Sequence, residues 1–361
     1  MSAAALMRKL ETLIIRFESL AIAVALGFYI WFLRRFGLGQ IVEYLRLAAW
    51  GLSLTVALEA VARAANTLGW WVTIANRPRG LRFPELFAAR IAGEAVDYVT
   101  PTAQLGGQPV MASMVRRKLR MAAGLATVMI AALAEAIGQI GFVAGALLIA
   151  LPIEGRVQSL LWAVAGGLAL ALALVGGFFF VQMKRPFSRL LEAASGIVPM
   201  FKDSEVKESA AEADAILKDF YAHHRLRMMA SCACYLFAWS MGPVEIYILL
   251  RLLNQPAPLM VLLVAEAVGL LIERAAFLIP AKLVSQEGGK ALIFAVLGYP
   301  AGVGFVVGLL RRIKELVWVL FGLASLAAYR LLAERATPDE AAEAVREQVL
   351  KIGRAQGEHW S

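Results

Sequence analysis

The sequence predicts an all-α polytopic membrane protein: about six spanning helices plus two oppositely oriented re-entrant helical hairpins in an inverted repeat. Three observations predict it. Of 361 residues, 60% are hydrophobic and 17% charged, with a mean hydropathy of +0.69, the balance of a chain that lives in lipid rather than water. Apolar runs of spanning length alternate with short basic clusters, the pattern that orients helices in a bilayer. Two apolar stretches are broken by proline and by a glycine pair in the same order, and broken backbone at membrane depth is tolerated only where protein or a wet cavity surrounds it.

The first spanning segment is Phe17–Leu33, at the short limit for a bilayer core. It has a basic flank (Arg8, Lys9, Arg16) but ends in bulky residues and Arg34-Arg35, so it reads as a retained helix, not a cleaved signal. A short amphipathic connection through Arg46 leads to Leu47–Ile74, where Glu59 and Arg63 stand four apart on one face. The first broken stretch, Glu94 to Arg117, is interrupted by Pro101, Gly106-Gly107 and Pro109. Arg77, Arg79 and Arg82 precede it, and Arg116, Arg117, Lys118 and Arg120 follow, so it is predicted to enter and leave on the cytoplasmic side. Ala122–Leu151, with Glu135 and Gln139, and the uncharged Ser159–Met183 are the next two spans.

Residues 184–227 change character, with charges of both signs and few apolar anchors, and predict one or two amphipathic helices on the cytoplasmic surface. Met228–Leu252 spans again and carries Glu245. The second broken stretch, Leu259–Pro280, holds Glu266, Glu273 and Arg274 and continues through Lys282, Gln286-Glu287-Gly288-Gly289 and Lys290. Ala301–Leu332 is too long for one span and is interrupted by Arg311-Arg312-Ile313-Lys314-Glu315, which predicts a short buried segment followed by a last helix. Thr337-Pro338-Asp339-Glu340 starts a small helical tail. The organisation is therefore one membrane domain over residues 1–336, with repeat one at about 47–151, repeat two at about 228–333 and the surface segment 184–227, then a cytoplasmic tail over 337–361.

The broken stretches align in order: Pro101 with Pro280, Gly106-Gly107 with Gly288-Gly289, Gly124 with Gly302, Glu135 with Glu315. Counting crossings from a cytoplasmic N-terminus, the two hairpins open to opposite faces and both termini lie in the cytoplasm; Arg34 and Arg35 are the exceptions to the charge bias. Ionisable residues at membrane depth face a cavity or each other. The predicted cavity lining is Arg90, Glu94, Asp97, Gln104, Glu135, Glu273, Lys282, Glu287, Arg311 and Arg312, with hairpin breaks at Pro101, Gly106, Gly107, Pro280, Gly288 and Gly289. The cations suit the oxygens of an anionic headgroup; the alternative is that the charges are only buried ion pairs, such as Arg311–Glu315, that hold the hairpins in place.

Other chemistry finds no support. The basic residues behind the net charge of +9 lie mostly in predicted loops, where they meet headgroups rather than nucleic acid. Cys232 and Cys234 read as small core residues, and His223-His224 as solvated side chains, so neither a disulfide nor a metal nor a cofactor is expected. Gly304-x-x-x-Gly308 and Gly141-x-x-x-Gly145 read as close helix packing, the latter also leaving room for a homodimer. The sequence contains no P-loop, no Gly-x-Ser-x-Gly elbow and no His-Glu-x-x-His.

Pro101 through Gly106-Gly107 to Glu135, then Pro280, Gln286-Glu287-Gly288-Gly289, Gly298 and Arg312, resemble the two repeats of the flippase-like transmembrane domain of bacterial lysylphosphatidylglycerol synthases, over roughly residues 15–335. The resemblance implies an inner-membrane protein that moves a polar-headgroup lipid between leaflets. Its substrate would be an anionic phospholipid, a polyprenyl-phosphate carrier, a glycolipid or a hopanoid. The synthases carry a soluble aminoacyl-transfer domain after these helices, and this sequence runs only briefly past Arg335, so the expectation is translocation and not enzymatic catalysis. The rival expectations are a scaffold that recruits a lipid-modifying enzyme through 184–227, and an intramembrane lipid transferase working through carboxylates.

Overall fold

The computed structural model describes residues 34, 38–47, 49–100, 106–150, 156–195, 204–275 and 285–335. The first predicted span, the tail, and the predicted site residues Pro101, Gln104, Pro280 and Lys282 lie outside the described residues. Among those described, every regular element is helical. The helices are α1 (Leu38–Leu47), α2 (Ala49–Thr73), α3 (Phe83–Val99), α4 (Gly107–Val115), α5 (Met121–Ala150), α6 (Arg156–Met183), α7 (Pro186–Ser195), α8 (Ser204–His223), α9 (Arg225–Leu252), α10 (Leu259–Ala275), α11 (Ser285–Val296) and α12 (Ala301–Arg335). Among the described residues, four helical segments are long and apolar enough to cross a membrane: Met121–Ile149, Val164–Met183, Arg225–Leu252 and Ala301–Leu332.

One pattern occurs twice. A long helix is followed by two short ones and a second long helix, as α2–α3–α4–α5 and again as α9–α10–α11–α12. The two leading helices run antiparallel along each other. Gly51, near the start of α2, lies against Leu249 and Leu252 at the end of α9; Gly69 lies against Tyr235 in the middle. At the end of α2, the carbonyls of Val72 and Ile74 accept from Arg227 in the first turn of α9.

The short helices pair as hairpins with opposite openings. In the first, Glu85 at the start of α3 meets Lys118 just past α4, while Gly93 and Gly107 face each other at the crossing, where any side chain would meet the opposite helix. Close approach is therefore the reason for both glycines. This hairpin opens toward α8, since Arg120 pairs with Glu212 at 2.9 Å. The second hairpin opens at the other end of the bundle: Phe294 and Val303 share a core there with Leu249, Leu250, Leu253 and Ala257.

Local chemistry accounts for the breaks. Glu85 accepts from the Arg82 backbone N–H at 3.0 Å, one half of a capping box, with Pro84 in the first turn of α3. Thr100, which precedes Pro101, has φ −107 and ψ 138, the extended backbone that a following proline imposes. At the next helix start, Asp97 accepts from the Gly107 N–H at 2.7 Å and so caps α4. Gly106 and Gly107 thus stand at the start of α4, where the chain turns from α3. Gly288 and Gly289 do not: they lie inside α11, which begins at Ser285 and has Glu287 in its first turn. Gly289 instead lets Ile272 of α10 approach, its added Cβ falling 3.2 Å from the Ile272 Cγ2.

A second departure is α12, which runs unbroken for 35 residues where two segments are expected. Arg311, Arg312 and Lys314 turn inward to carboxylates, so the charges give no reason to break the helix. At a rise of about 1.5 Å per residue it is about 52 Å long, more than the hydrocarbon core, and must tilt or project. Gly304 and Gly308 do pack closely, against the backbone of Lys290 and Glu287. Of the other pair, Gly141 makes an ordinary contact with Leu236, its added Cβ falling 3.8 Å from the Leu236 Cδ1, while Gly145 faces open space among the described residues. The 184–227 segment forms α7 and α8, joined by Asp214, whose carboxylate accepts from the Phe187 and Ser188 N–H groups at 3.0 and 2.9 Å and caps α7.

Candidate functional site

Between the two quartets the ionisable residues form one alternating chain. Glu135 on α5 accepts from Arg90 on α3 at 2.8 Å, and Arg90 donates to Glu94 at 2.6 Å. Glu94 pairs with Arg63 on α2, Arg63 with Glu59 at 3.1 Å, and Glu59 with Lys314 on α12 at 2.8 Å. Lys314 also reaches Glu245 on α9 at 2.8 Å, Glu245 takes Arg311 at 2.9 Å, Arg311 forks onto Glu266 on α10 at 2.9 and 3.0 Å, and Glu266 takes Lys290 on α11 at 2.5 Å. Five carboxylates and five cations alternate without two like charges adjacent, and the chain is neutral. Charges removed from water are tolerated only in such company.

The helices are shaped to let this chain through. Tyr235 of α9 accepts from Arg90 at 2.9 Å and is fully buried. On the same helix, Gly242 has no side chain where Glu266 arrives, and a Cβ there would lie 2.6 Å from its Oε1. Pro243 follows inside α9 and offers no N–H to the helix, which leaves a carbonyl one turn back for other use.

Exposure is uneven along the chain. The Glu94 and Glu135 side chains are 28% and 30% exposed, whereas Glu266 and Lys290 are 5% and 2% exposed. The end built by the first hairpin is open to its surroundings and the end built by the second is sealed. At the open end the accessible groups are carboxylates flanking the more deeply set Arg63 and Arg90. That arrangement accepts hydrogen-bond donors, hydroxyl or ammonium, while two guanidiniums stand behind to hold the carboxylates in place.

The expected lining residues divide accordingly. Arg90, Glu94, Glu135 and Arg311 are members of the chain. Arg312 and Glu287 form their own buried pair, with a second contact at 3.0 Å. Asp97 caps α4, and Glu273 on α10 lies close enough to Arg311 for its charge to act there. The expected Arg311–Glu315 pair is replaced: Arg311 turns to Glu245 and Glu266, and Glu315 accepts from Gln286 at 2.9 Å.

Sequence reasoning left out Glu59, Arg63, Glu245, Glu266, Lys290, Lys314 and Tyr235 from the lining. A signal for all but the tyrosine was present: each is ionisable and stands in an apolar run, and such a residue at membrane depth requires a partner. What spacing alone cannot supply is which partner, because seven of the nine links joining the ten residues cross from one helix to another.

No curated protein and no solved structure gives a significant match to the chain. A family model does, and it spans both quartets together with the helices that join them. Residues 19–324 match the family described as the lysylphosphatidylglycerol synthase TM region, and the chain belongs to that family.

Proposed function

We propose that this protein is a lipid translocase of the bacterial inner membrane, in which a polar headgroup crosses between the two quartets while the acyl chains stay in lipid. The family makes a membrane-lipid role the setting. The observation that carries the finer reading is the ion-pair chain, continuous from one hairpin to the other, yet open at Glu94 and Glu135 and sealed at Glu266 and Lys290. On this reading the quartets are inverted repeats, the α3–α4 and α10–α11 hairpins are re-entrant from opposite faces, and the α8 end is cytoplasmic. The antiparallel contacts of α2 with α9 support the inversion, and repeats so related place their site near the midplane.

The mechanism follows from the exposure gradient. A headgroup bearing donors displaces water at Glu94 and Glu135 and competes with Arg90 for their oxygens. Loosening that end frees Arg63 and Glu59, and the disturbance reaches Lys314, which bridges the two quartets through Glu59 and Glu245. The repeat relation makes a second arrangement natural, with the Glu266 end open and the Glu135 end closed. No covalent step is involved, and the chain's acid-base groups serve as exchangeable partners for the headgroup.

The test is transport itself. Purified protein in liposomes containing fluorescent lipids of different headgroups is expected to bring the inner-leaflet dye within reach of dithionite, and the Glu94→Gln variant to slow this strongly. A folded wild-type protein that protects the inner leaflet for every headgroup, with and without a proton gradient, would remove the translocase reading.

A further inference from the structure

The corner that follows the leading helix of each quartet carries an arginine laid on an aromatic ring. In the first, the Arg77 guanidinium lies 3.7 Å from the Trp71 ring centroid and donates to the Trp71 carbonyl at 3.2 Å. Phe83 steadies that ring edge-on at 5.9 Å. In the second, the Arg251 guanidinium lies 5.1 Å from the Tyr247 ring and donates twice to its hydroxyl, at 3.0 and 2.7 Å. Both arginines are exposed, and among the described residues neither has a carboxylate partner, in contrast to Arg63, Arg90 and Arg311. A guanidinium stacked by its face and anchored along one edge keeps its other N–H groups for an external acceptor.

Each corner has further preparation for an anion. Arg227 is tethered beside the first by bonds to the Val72 and Ile74 carbonyls at 3.2 and 3.4 Å. Partial burial, and after it the Arg227 charge, lowers the Arg77 pKa below its ordinary value, so the two cations stand close enough to repel each other. The second corner is a groove of about 630 Å³ lined by Tyr247, Arg251, Pro256, Ala257 and Leu259 among others, a size that suits a headgroup. Its floor is stiff: Asn254 has φ 55, Gln255 and Asn254 donate back to the Leu250 and Arg251 carbonyls at 2.9 and 3.2 Å, and prolines follow at 256 and 258. Because α2 and α9 run antiparallel, the corners stand at opposite ends of the bundle.

We propose that these corners are docking sites for a phosphate-bearing lipid headgroup, one in each leaflet, with Arg77 and Arg227 holding it at one end and Arg251 on Tyr247 at the other. The proposal rests on the translocase reading for its two leaflets, and it adds where the lipid waits before and after crossing. Arginine forks match phosphate oxygens, and aromatic side chains at the membrane–water boundary mark the depth at which phosphates lie.

The full-length protein in mild detergent is titrated with phosphatidylglycerol, and the lipids retained per protein are counted by native mass spectrometry. Two retained-lipid steps are expected in wild type. Arg77→Gln and Arg251→Gln should each weaken one step by about fivefold, and the double variant both, with melting temperatures unchanged because both side chains are exposed. Arg251→Lys, which keeps the charge and loses the fork, should fall between. Unchanged titrations, or an effect at one corner only, would overturn the pair of sites. Displacement of the lipid by equimolar glycerol phosphate would assign them to soluble phosphate and overturn the lipid source. Lipid counting needs no transport, so the two readings separate: normal corner binding in a protein that fails the dithionite assay removes the translocase alone, and transport with corner-independent binding removes the docking sites alone.

Discussion

Glu266 and Glu135 stand near opposite ends of one chain of charges, and their different surroundings predict different responses to the same change. Glu266 holds both Arg311 and Lys290, and is buried. Removing its charge leaves two buried cations short of a partner. Glu266→Gln is therefore expected to destabilise the protein by about 3–5 kcal/mol, the usual cost of breaking a buried pair from one side, seen as a lowered melting temperature in detergent. Among the described residues Glu135 holds only Arg90, which keeps Glu94 and Tyr235 when Glu135 is neutralised. Glu135→Gln should cost less than about 1 kcal/mol in the same melt and yet slow lipid transport, because the headgroup is to meet this carboxylate. Equal destabilisation by both variants would mean that the open end is as structural as the sealed one.

The short helices show how an element depends on one side chain. α4 is nine residues long, too short to persist without help at its ends, and Asp97 supplies that help from the preceding arm of the hairpin. Asp97→Ala is expected to cost about 1 kcal/mol and to speed amide exchange at Gly107 and Gln108, with Asp97→Asn restoring most of the protection. The break between α3 and α4 is legible in the sequence because proline and glycine act locally: the extended Thr100 before Pro101 and the glycine crossing of α3 and α4 are properties of a few neighbouring residues. The glycines of α11 misled because the same residue type serves two needs, a break in one hairpin and a close Ile272 contact in the other. The unbroken α12 is hidden in the sequence for a longer-range reason. Arg311 and Lys314 look like an interruption until Glu245, more than sixty residues earlier in the chain, is seen beside them. Spacing reveals pairs four apart, as for Glu59–Arg63 and Arg90–Glu94, and is silent about partners brought by another helix.

For the whole molecule, the proposed translocation requires that two similar quartets face opposite ways in the membrane. The contacts agree with it: Arg120 and Glu85–Lys118 place the mouth of the first hairpin beside α8, and the core around Phe294 and Leu250 places the mouth of the second at the other end. The charges suit the proposal as well, since Arg77, Arg79, Arg82, Arg116, Arg117 and Lys118 gather at the α8 end, the end that the positive-inside bias predicts to be cytoplasmic. Single cysteines read this directly once Cys232 and Cys234 are replaced by alanine. Arg79 lies in the exposed loop between α2 and α3, and Pro300 is exposed just before α12. A membrane-impermeant maleimide should therefore label Pro300→Cys from outside intact spheroplasts and Arg79→Cys only in inverted vesicles. Labelling of both positions from the same face would make the quartets parallel, and a parallel pair could not present the open end of the ion-pair chain to one leaflet and its counterpart to the other.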